Sequence, residues 1–315
     1  MSEQPIVTII VPGRDVAPFA PEALASLEAQ TLTRWRAILV DDGSIDATGE
    51  QFAAAAAARD ARFSVIHLPV AIGLGAARNL ALARVETPFV GFLDADDVLA
   101  PAALERFTST LDASGSDFVV GAYVRLRPTA AGAYVAGDVQ PWVRASTDPE
   151  RRGVTLRAHP EASGNIVAWS KLSRTAFWQQ HGLRFGEGFF EDQVVAQRMY
   201  TSARAFDVIP DVIVQWRVRA DGTSITQRTA RMPVLTDYLG ALAAGVEHLR
   251  GHGYPEAVEA RVRLLLTLDV PPLVRIGAEH PDDAYRRALS DFVRSMTALV
   301  PTASLTPEAS AALLW

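Results

Sequence analysis

Short β-branched runs alternating with helix-forming stretches constrain this chain more than any other feature of its first third. The runs "IVTIIV" (6–11), "RAILV" (36–40), "FSVIHL" (63–68) and "PFVGFL" (88–93) are strand-like. Between them, "PEALASLEAQ" (21–30), "ATGEQFAAAAAARD" (47–60) and "GAARNLALARV" (75–85) have helix-forming composition. A βαβαβαβ order predicts an α/β fold with a mainly parallel sheet and helices on both faces. Ligands then bind beyond the carboxyl ends of the strands.

Two acidic clusters fall at those ends. "FLDADD" (92–97) places Asp94, Asp96 and Asp97 directly after an apolar run, where mutual repulsion calls for a nearby cation. A hard divalent ion held by one or two carboxylates plus substrate phosphates fits that pattern, so Asp96 is the candidate ligand for magnesium or manganese. Asp94 would contact a nucleotide ribose or the metal's water, and Asp97 would cap the turn leading to Pro101. A bare Asp-x-Asp is more often a solvated turn, and only its place at a strand end raises it. In "VDDGSIDATGE" (40–50), Ser44, Asp46 and Thr48 read as helix caps, which leaves Asp42 to accept a hydrogen bond from a base N–H. "GLGAARNLAL" has an incomplete dinucleotide fingerprint, but Arg78 in its helix could pair with a diphosphate as readily as lie on the surface.

Residues 117–230 mix strand-like runs with short helices and read as an acceptor-facing half that follows a nucleotide-binding half at 1–116. From 231 to 315 the chain is helical in character, broken by Gly and Pro, and reads as a small C-terminal appendage. Net charge of -6 gives no nucleic-acid footprint, and the absence of cysteine removes disulfides, thiolate metal sites and Cys nucleophiles. That absence suits a cytoplasmic location. The start "MSEQPIVTIIVPGRD" lacks a basic leader, and "VRLLLTLDVPPLVRIGA" is too interrupted to span a bilayer. His248 and His252 are four residues apart, but Gly251 weakens the helix and no third ligand follows, so a solvated helix end is the better reading.

Six ordered blocks carry a resemblance over roughly residues 5–230: "VTIIVPGRD", "ILVDDGSIDATGE", "GLGAARNLALA", "FVGFLDADDVLAPAAL", "AWSKLSRTAFWQQHGLRFGEGFFEDQ" and "WRVRADGTSITQR". In order and spacing they resemble family-two glycosyltransferases of the GT-A fold, and most closely bacterial enzymes that build cell-envelope polymers and polysaccharides. The resemblance implies a metal-dependent, inverting transfer of a sugar from a nucleoside diphosphate sugar, with Mn2+ or Mg2+ as cofactor. It implies that Asp42 contacts the base, that Arg78 approaches the donor, and that Asp94 and Asp96 bind ribose and metal. Asp192 would deprotonate the acceptor hydroxyl, and Glu191 beside it would orient the acceptor. Taken without the resemblance, Glu191 and Asp192 would simply cap a helix, a dipole interaction worth about 0.3–1 kcal/mol. Trp169 and Lys171 match a sugar or acceptor pocket, although a core tryptophan is an equal reading. Arg217, Arg219 and Ser224 fall where the family closes a loop over the diphosphate, and Arg219 and Ser224 are carried over as donor contacts.

One departure is visible. Where the family reads Pro-x-Tyr-Asn, this chain has Pro12-Gly13-Arg14-Asp15, so Arg14 would stack on the base in place of tyrosine. Uridine is the favoured base, with thymidine, guanosine and cytidine open. The implied partners are a nucleoside diphosphate sugar and a hydroxyl-bearing acceptor. The C-terminal helices leave open a homo-oligomer or a peripheral membrane contact. Competing readings are a catalytically silent nucleotide-sugar module, a transferase of the same fold moving a non-sugar group and, more distantly, an NAD-dependent oxidoreductase.

Overall fold

The computed structural model describes residues 4–58, 61–222, 224, 228–300 and 305–315. The chain runs β1 (Val7–Gly13), α1 (Ala20–Glu28), β2 (Trp35–Asp42), α2 (Thr48–Ala57), β3 (Phe63–Leu68), α3 (Leu74–Leu82), β4 (Phe89–Phe92), β5 (Val98–Leu99) and α4 (Ala103–Ser114). It continues through β6 (Phe118–Pro128), β7 (Tyr134–Val139), α5 (Pro141–Thr147), β8 (Arg151–Val154), β9 (Lys171–Arg174), α6 (Thr175–Gln180), α7 (Asp192–Ser202) and β10 (Phe206–Arg217). The last part is helical: α8 (Met232–Gly251), α9 (Pro255–Leu264), a π-helical turn Leu265–Asp269, α10 (Val270–Glu279), α11 (Asp283–Leu299) and α12 (Pro307–Ala312). None of the described helices is long and apolar enough to cross a membrane.

The sheet has the order β3-β2-β1-β4-β9-β6-β10-β5, with β7 on β6 and β8 on β10. The first four strands are parallel, β9 lies antiparallel between β4 and β6, and β10 returns parallel to β6. Every residue of β1 is buried, which is why it reads as an unbroken apolar run, whereas edge strand β3 is buried only at Phe63 and Ile66 and leaves Ser64 and His67 exposed. Strand order reverses at β1, whose neighbours are β2 on one side and β4 on the other. That reversal opens a crevice at the carboxyl ends of β1 and β4, where Arg14 and Asp94 emerge.

Both sheet faces are covered by apolar clusters. Ile9, Val11, Leu39, Phe52, Leu104 and Ile213 belong to one. The other joins Ile10, Val40, Phe92 and Val120 of the strands to Leu242 and Val246 of α8, Val262 of α9 and Leu289 of α11. The C-terminal helices therefore extend a core that begins on the sheet. A fragment ending at residue 230 would bare that face, and calorimetry is expected to show no cooperative melting transition for it. A sharp transition like that of the full chain would show that the strands close their own core.

Candidate functional site

The acidic residues that end β4 meet three arginines. The buried Arg78 of α3 donates through Nη2 to Asp94 and through Nη1 to Glu191, 113 residues further along. Burial opposes its charge, but Asp94 and Glu191 more than offset that, so its pKa is raised. Arg219 donates from Nε to Asp96 Oδ2 at 2.8 Å. Arg217 is buried and donates from Nε to the Asp96 carbonyl at 2.7 Å, while its backbone N–H reaches Asp97 Oδ1 at 2.8 Å. Asp97 thus ties β10 to the acidic turn and does not cap a helix at Pro101; residues 98–99 form β5 instead, and α4 starts at Ala103. Burial pushes the Asp97 carboxyl well up, helped by Asp96 and Asp94, and Asp96 is raised by burial too.

On the donor edge, Asp42 accepts from the backbone N–H of Ile72 at 2.7 Å and of Gly73 at 3.0 Å. Its carboxylate therefore shapes the loop that enters α3, in addition to any contact with a base. Asp46 accepts from Thr48 N at 2.9 Å and Ala17 N at 3.0 Å, but the N-cap of α2 is Ala47 with no side-chain cap hydrogen bond, so the caps expected of Ser44, Asp46 and Thr48 are not formed; Asp46 instead ties the turn before α2 to the segment after β1. Asp41 is buried against His67 Nδ1 at 2.6 Å. Pro12 is buried within β1, and Arg14 follows the strand with an exposed side chain near Asp15, at 3.8 Å. That exposure leaves the guanidinium plane open at the crevice.

The opposite wall carries Glu191 and Asp192. Glu191 occupies the N-cap of α7 but makes no side-chain cap hydrogen bond, because its carboxylate is turned to Arg78. Burial raises both carboxyls, while the charge of Arg78 draws both back and that of Lys171 also draws back Asp192. Lys171 is buried and donates from Nζ to Asn165 Oδ1 at 3.0 Å and to the Val167 carbonyl at 2.7 Å. Burial lowers its pKa to about 7, with Asp192 opposing the fall. Its ammonium is thus engaged inside the protein as a neighbour of Asp192 and is not spread along an open pocket. Trp169 is buried as well, edge-on to Tyr123 at 4.8 Å between ring centroids and stacked with Trp216 at 6.4 Å.

Sequence reasoning missed what holds the loop before Asp192. Asn79 of α3 grips Phe185 twice, donating to its carbonyl at 2.9 Å and accepting its N–H at 3.0 Å. A Cβ added to Gly75, one helical turn earlier, would lie 2.3 Å from the Gly186 carbonyl oxygen, so only glycine lets the loop dock there. From the other side Asp237 of α8 accepts the Phe189 N–H at 2.6 Å. Gly75 and Asn79 of "GLGAARNLAL" thus serve loop docking, a long-range use that no local pattern announces.

Ser224 lies in the turn after β10, where residues 223 and 225–227 fall outside the described set. His248 and His252 pack ring on ring at 4.0 Å, and His252 Nδ1 lies 2.8 Å from the His248 carbonyl. Among the described residues no group of three His, Asp or Glu side chains is arranged to hold a metal alone.

Comparison with known proteins bears on the family and the fold. Residues 8–134 match the family model "Glycosyl transferase family 2". The chain is 35% identical over 190 residues to the uncharacterized glycosyltransferase EpsJ of Bacillus subtilis (strain 168), covering 60% of this chain and 54% of that protein. It is 29% identical over 255 residues to the succinoglycan biosynthesis protein ExoU of Rhizobium meliloti (strain 1021), covering 76% and 70%. The chain spans about half the length of EpsJ and 64% of EpsH, a putative glycosyltransferase of the same Bacillus strain. Among solved structures, S. aureus TarS 1-349 in complex with UDP superposes with a TM-score of 0.72 at 21% identity, over 98% of this chain and 87% of that one. The mannosyltransferase PcManGT from Pyrobaculum calidifontis, in complex with GDP-Man and Mn2+, gives 0.57 at 16%, over 100% and 88%. Both likenesses establish the GT-A fold.

Gly75→Ala is expected to displace the 185–191 loop, costing roughly 1–3 kcal/mol by overpacking. Thermal melting should fall accordingly, and hydrogen exchange should rise at Phe185. Unchanged exchange there would mean that α3 does not hold the loop.

Proposed function

We propose, from the premise that this chain belongs to glycosyltransferase family 2, that it moves a sugar from a nucleoside diphosphate sugar to an acceptor hydroxyl with inversion. The observation that carries this reading is one buried guanidinium, that of Arg78, joining the Asp94 end of the crevice to the Glu191-Asp192 end. Donor and acceptor edges are thereby set in one rigid frame, the positioning that a displacement at one carbon requires.

Asp192 is the base. As the acceptor oxygen forms its bond to the anomeric carbon, the bond from that carbon to the diphosphate breaks and the hydroxyl proton passes to the Asp192 carboxylate. Lys171 keeps this buried carboxyl ionisable, and Glu191, fixed by Arg78, orients the acceptor. Asp94 and Asp96 are suited to a divalent cation: they offer hard oxygens at the mouth of the crevice, and burial raises the Asp96 carboxyl, a cost that a cation relieves. When bound, the cation supplies charge stabilisation to the departing diphosphate. Uridine is the proposed base, in line with the UDP and UDP-GlcNAc held by TarS 1-349; Arg14 stacks on it.

Calorimetry with uridine, thymidine, guanosine and cytidine diphosphates is expected to give binding for one base, lost with chelator. Asp192→Asn should leave that affinity within about twofold and lower transfer by roughly 10²–10⁴-fold, the usual worth of a general base. Equal turnover in the variant would remove Asp192 from the mechanism. The base must be deprotonated, so kcat should fall as pH drops through about 6, where burial has brought the Asp192 carboxyl. Lys171→Met removes the cation that favours the ionised form, so this limb should move to higher pH; an unmoved limb would separate Lys171 from the base.

A further inference from the structure

A second polar cluster lies on the C-terminal helices, close to Asp192 and outside the six sequence blocks. Tyr238 of α8 packs its ring on Phe190 at 4.4 Å between centroids, two residues before Asp192. Its hydroxyl donates to Asp269 Oδ1. The other carboxylate oxygen, Oδ2, is shut off from solvent and has no hydrogen-bond partner among the described residues. Arg261 of α9, also buried, donates to Gln193 Oε1 at 2.9 Å, beside Asp192 in sequence. Burial pushes up both the Tyr238 phenol and the Asp269 carboxyl; negative charge on Asp269 and Asp192 lifts the phenol further, and Arg261 pulls the carboxyl back. The interacting charges place α7, α8, α9 and the π-helical turn around one patch.

Local backbone supports a ligand role. Asp269 ends the π-helical turn Leu265–Asp269, an irregularity that recurs at functional sites. Phe189, half exposed in the loop before Asp192, offers an apolar ring of the kind that covers a sugar face. An unsatisfied buried carboxylate oxygen is costly; Tyr238 and Asp269 are each only partly covered, and a ligand hydroxyl that enters between them would be a fitting donor for that oxygen. With Asp192, Glu191 and Asp269 in the neighbourhood, an anionic ligand would meet repulsion.

We propose that Tyr238 and Asp269 form an acceptor subsite that binds hydroxyls of a neutral saccharide whose attacking oxygen lies at Asp192. The assignment rests on the transferase reading, and it makes the C-terminal helices part of substrate recognition. The simpler role for the cluster, a polar staple between α8 and the π-helical turn, predicts loss of stability without loss of ligand affinity.

The test uses the full chain with magnesium and the nucleoside diphosphate selected by calorimetry, and reads binding of methyl glucoside, methyl galactoside and methyl N-acetylglucosaminide by saturation-transfer NMR. At least one glycoside is expected to bind, and Tyr238→Phe and Asp269→Asn should each weaken it roughly five- to tenfold, the effect of one lost hydrogen bond. Nucleotide affinity should not change. Wild-type protein that binds nucleotide but no glycoside, or variants that melt earlier yet bind the glycoside equally well, would overturn the subsite. Failure of the wild type to bind any nucleoside diphosphate would instead overturn the transferase reading, while the glycoside measurement still decides the subsite.

Discussion

Arg78 is the constraint on which the rest of the site depends. Its guanidinium cannot give up its charge, so burying it requires fixed anions, and it has Asp94 on one side and Glu191 on the other. Removing one partner from such a buried set typically costs about 3–5 kcal/mol, a large part of a domain's net stability. The two acidic motifs therefore cannot drift apart without leaving a bare charge in the interior. A crevice formed by strand order alone has a location but no fixed width. Arg78 sets the width.

The sequence made the scaffold legible because each strand of the parallel half carries its own pattern. β3 was read residue for residue, and β1, β2 and β4 to within two residues at either end, since all lie where apolar periodicity is uninterrupted. The acidic positions were legible for the same reason: they terminate those strands. What stayed hidden were contacts between distant segments. Asn79 meets Phe185 across 106 residues and Asp237 meets Phe189 across 48, and neither amide nor carboxylate differs in sequence from a surface residue. Asp97 was read as a cap from its local neighbours, but its actual partner is the backbone of Arg217, 120 residues away. The extent of the helical region was visible from its composition, but not its sharing of a core with the sheet.

The proposed base, Asp192, and its neighbour Lys171 illustrate how burial changes two ordinary residues. Desolvation lifts the Asp192 carboxyl and lowers the Lys171 ammonium, so their pKa values approach each other near neutrality. Each charge also restrains the other's shift. An exposed aspartate would be a weak base because its conjugate acid is too strong. A buried one without a cation would stay protonated. Placing Lys171 at the start of β9, held by Asn165 and Val167, gives an intermediate state in which the carboxylate forms near neutral pH and still accepts a proton readily.

Charge balance gives the electrostatic case for a cation in the proposed reaction. Arg78, Lys171, Arg217 and Arg219 face Asp94, Asp96, Asp97, Glu191 and Asp192 across the crevice and its walls. Glu22 adds a further carboxylate against Arg217 at 2.5 Å, so carboxylates outnumber cations here, and burial together with Asp96 and Asp94 pushes the Asp97 carboxyl well up. A donor diphosphate carries negative charge, and arriving alone it would meet Asp94 and Asp96 in a partly desolvated site where like charges repel strongly. Entering together with a divalent ion, it adds almost no net charge to a set already rich in carboxylates.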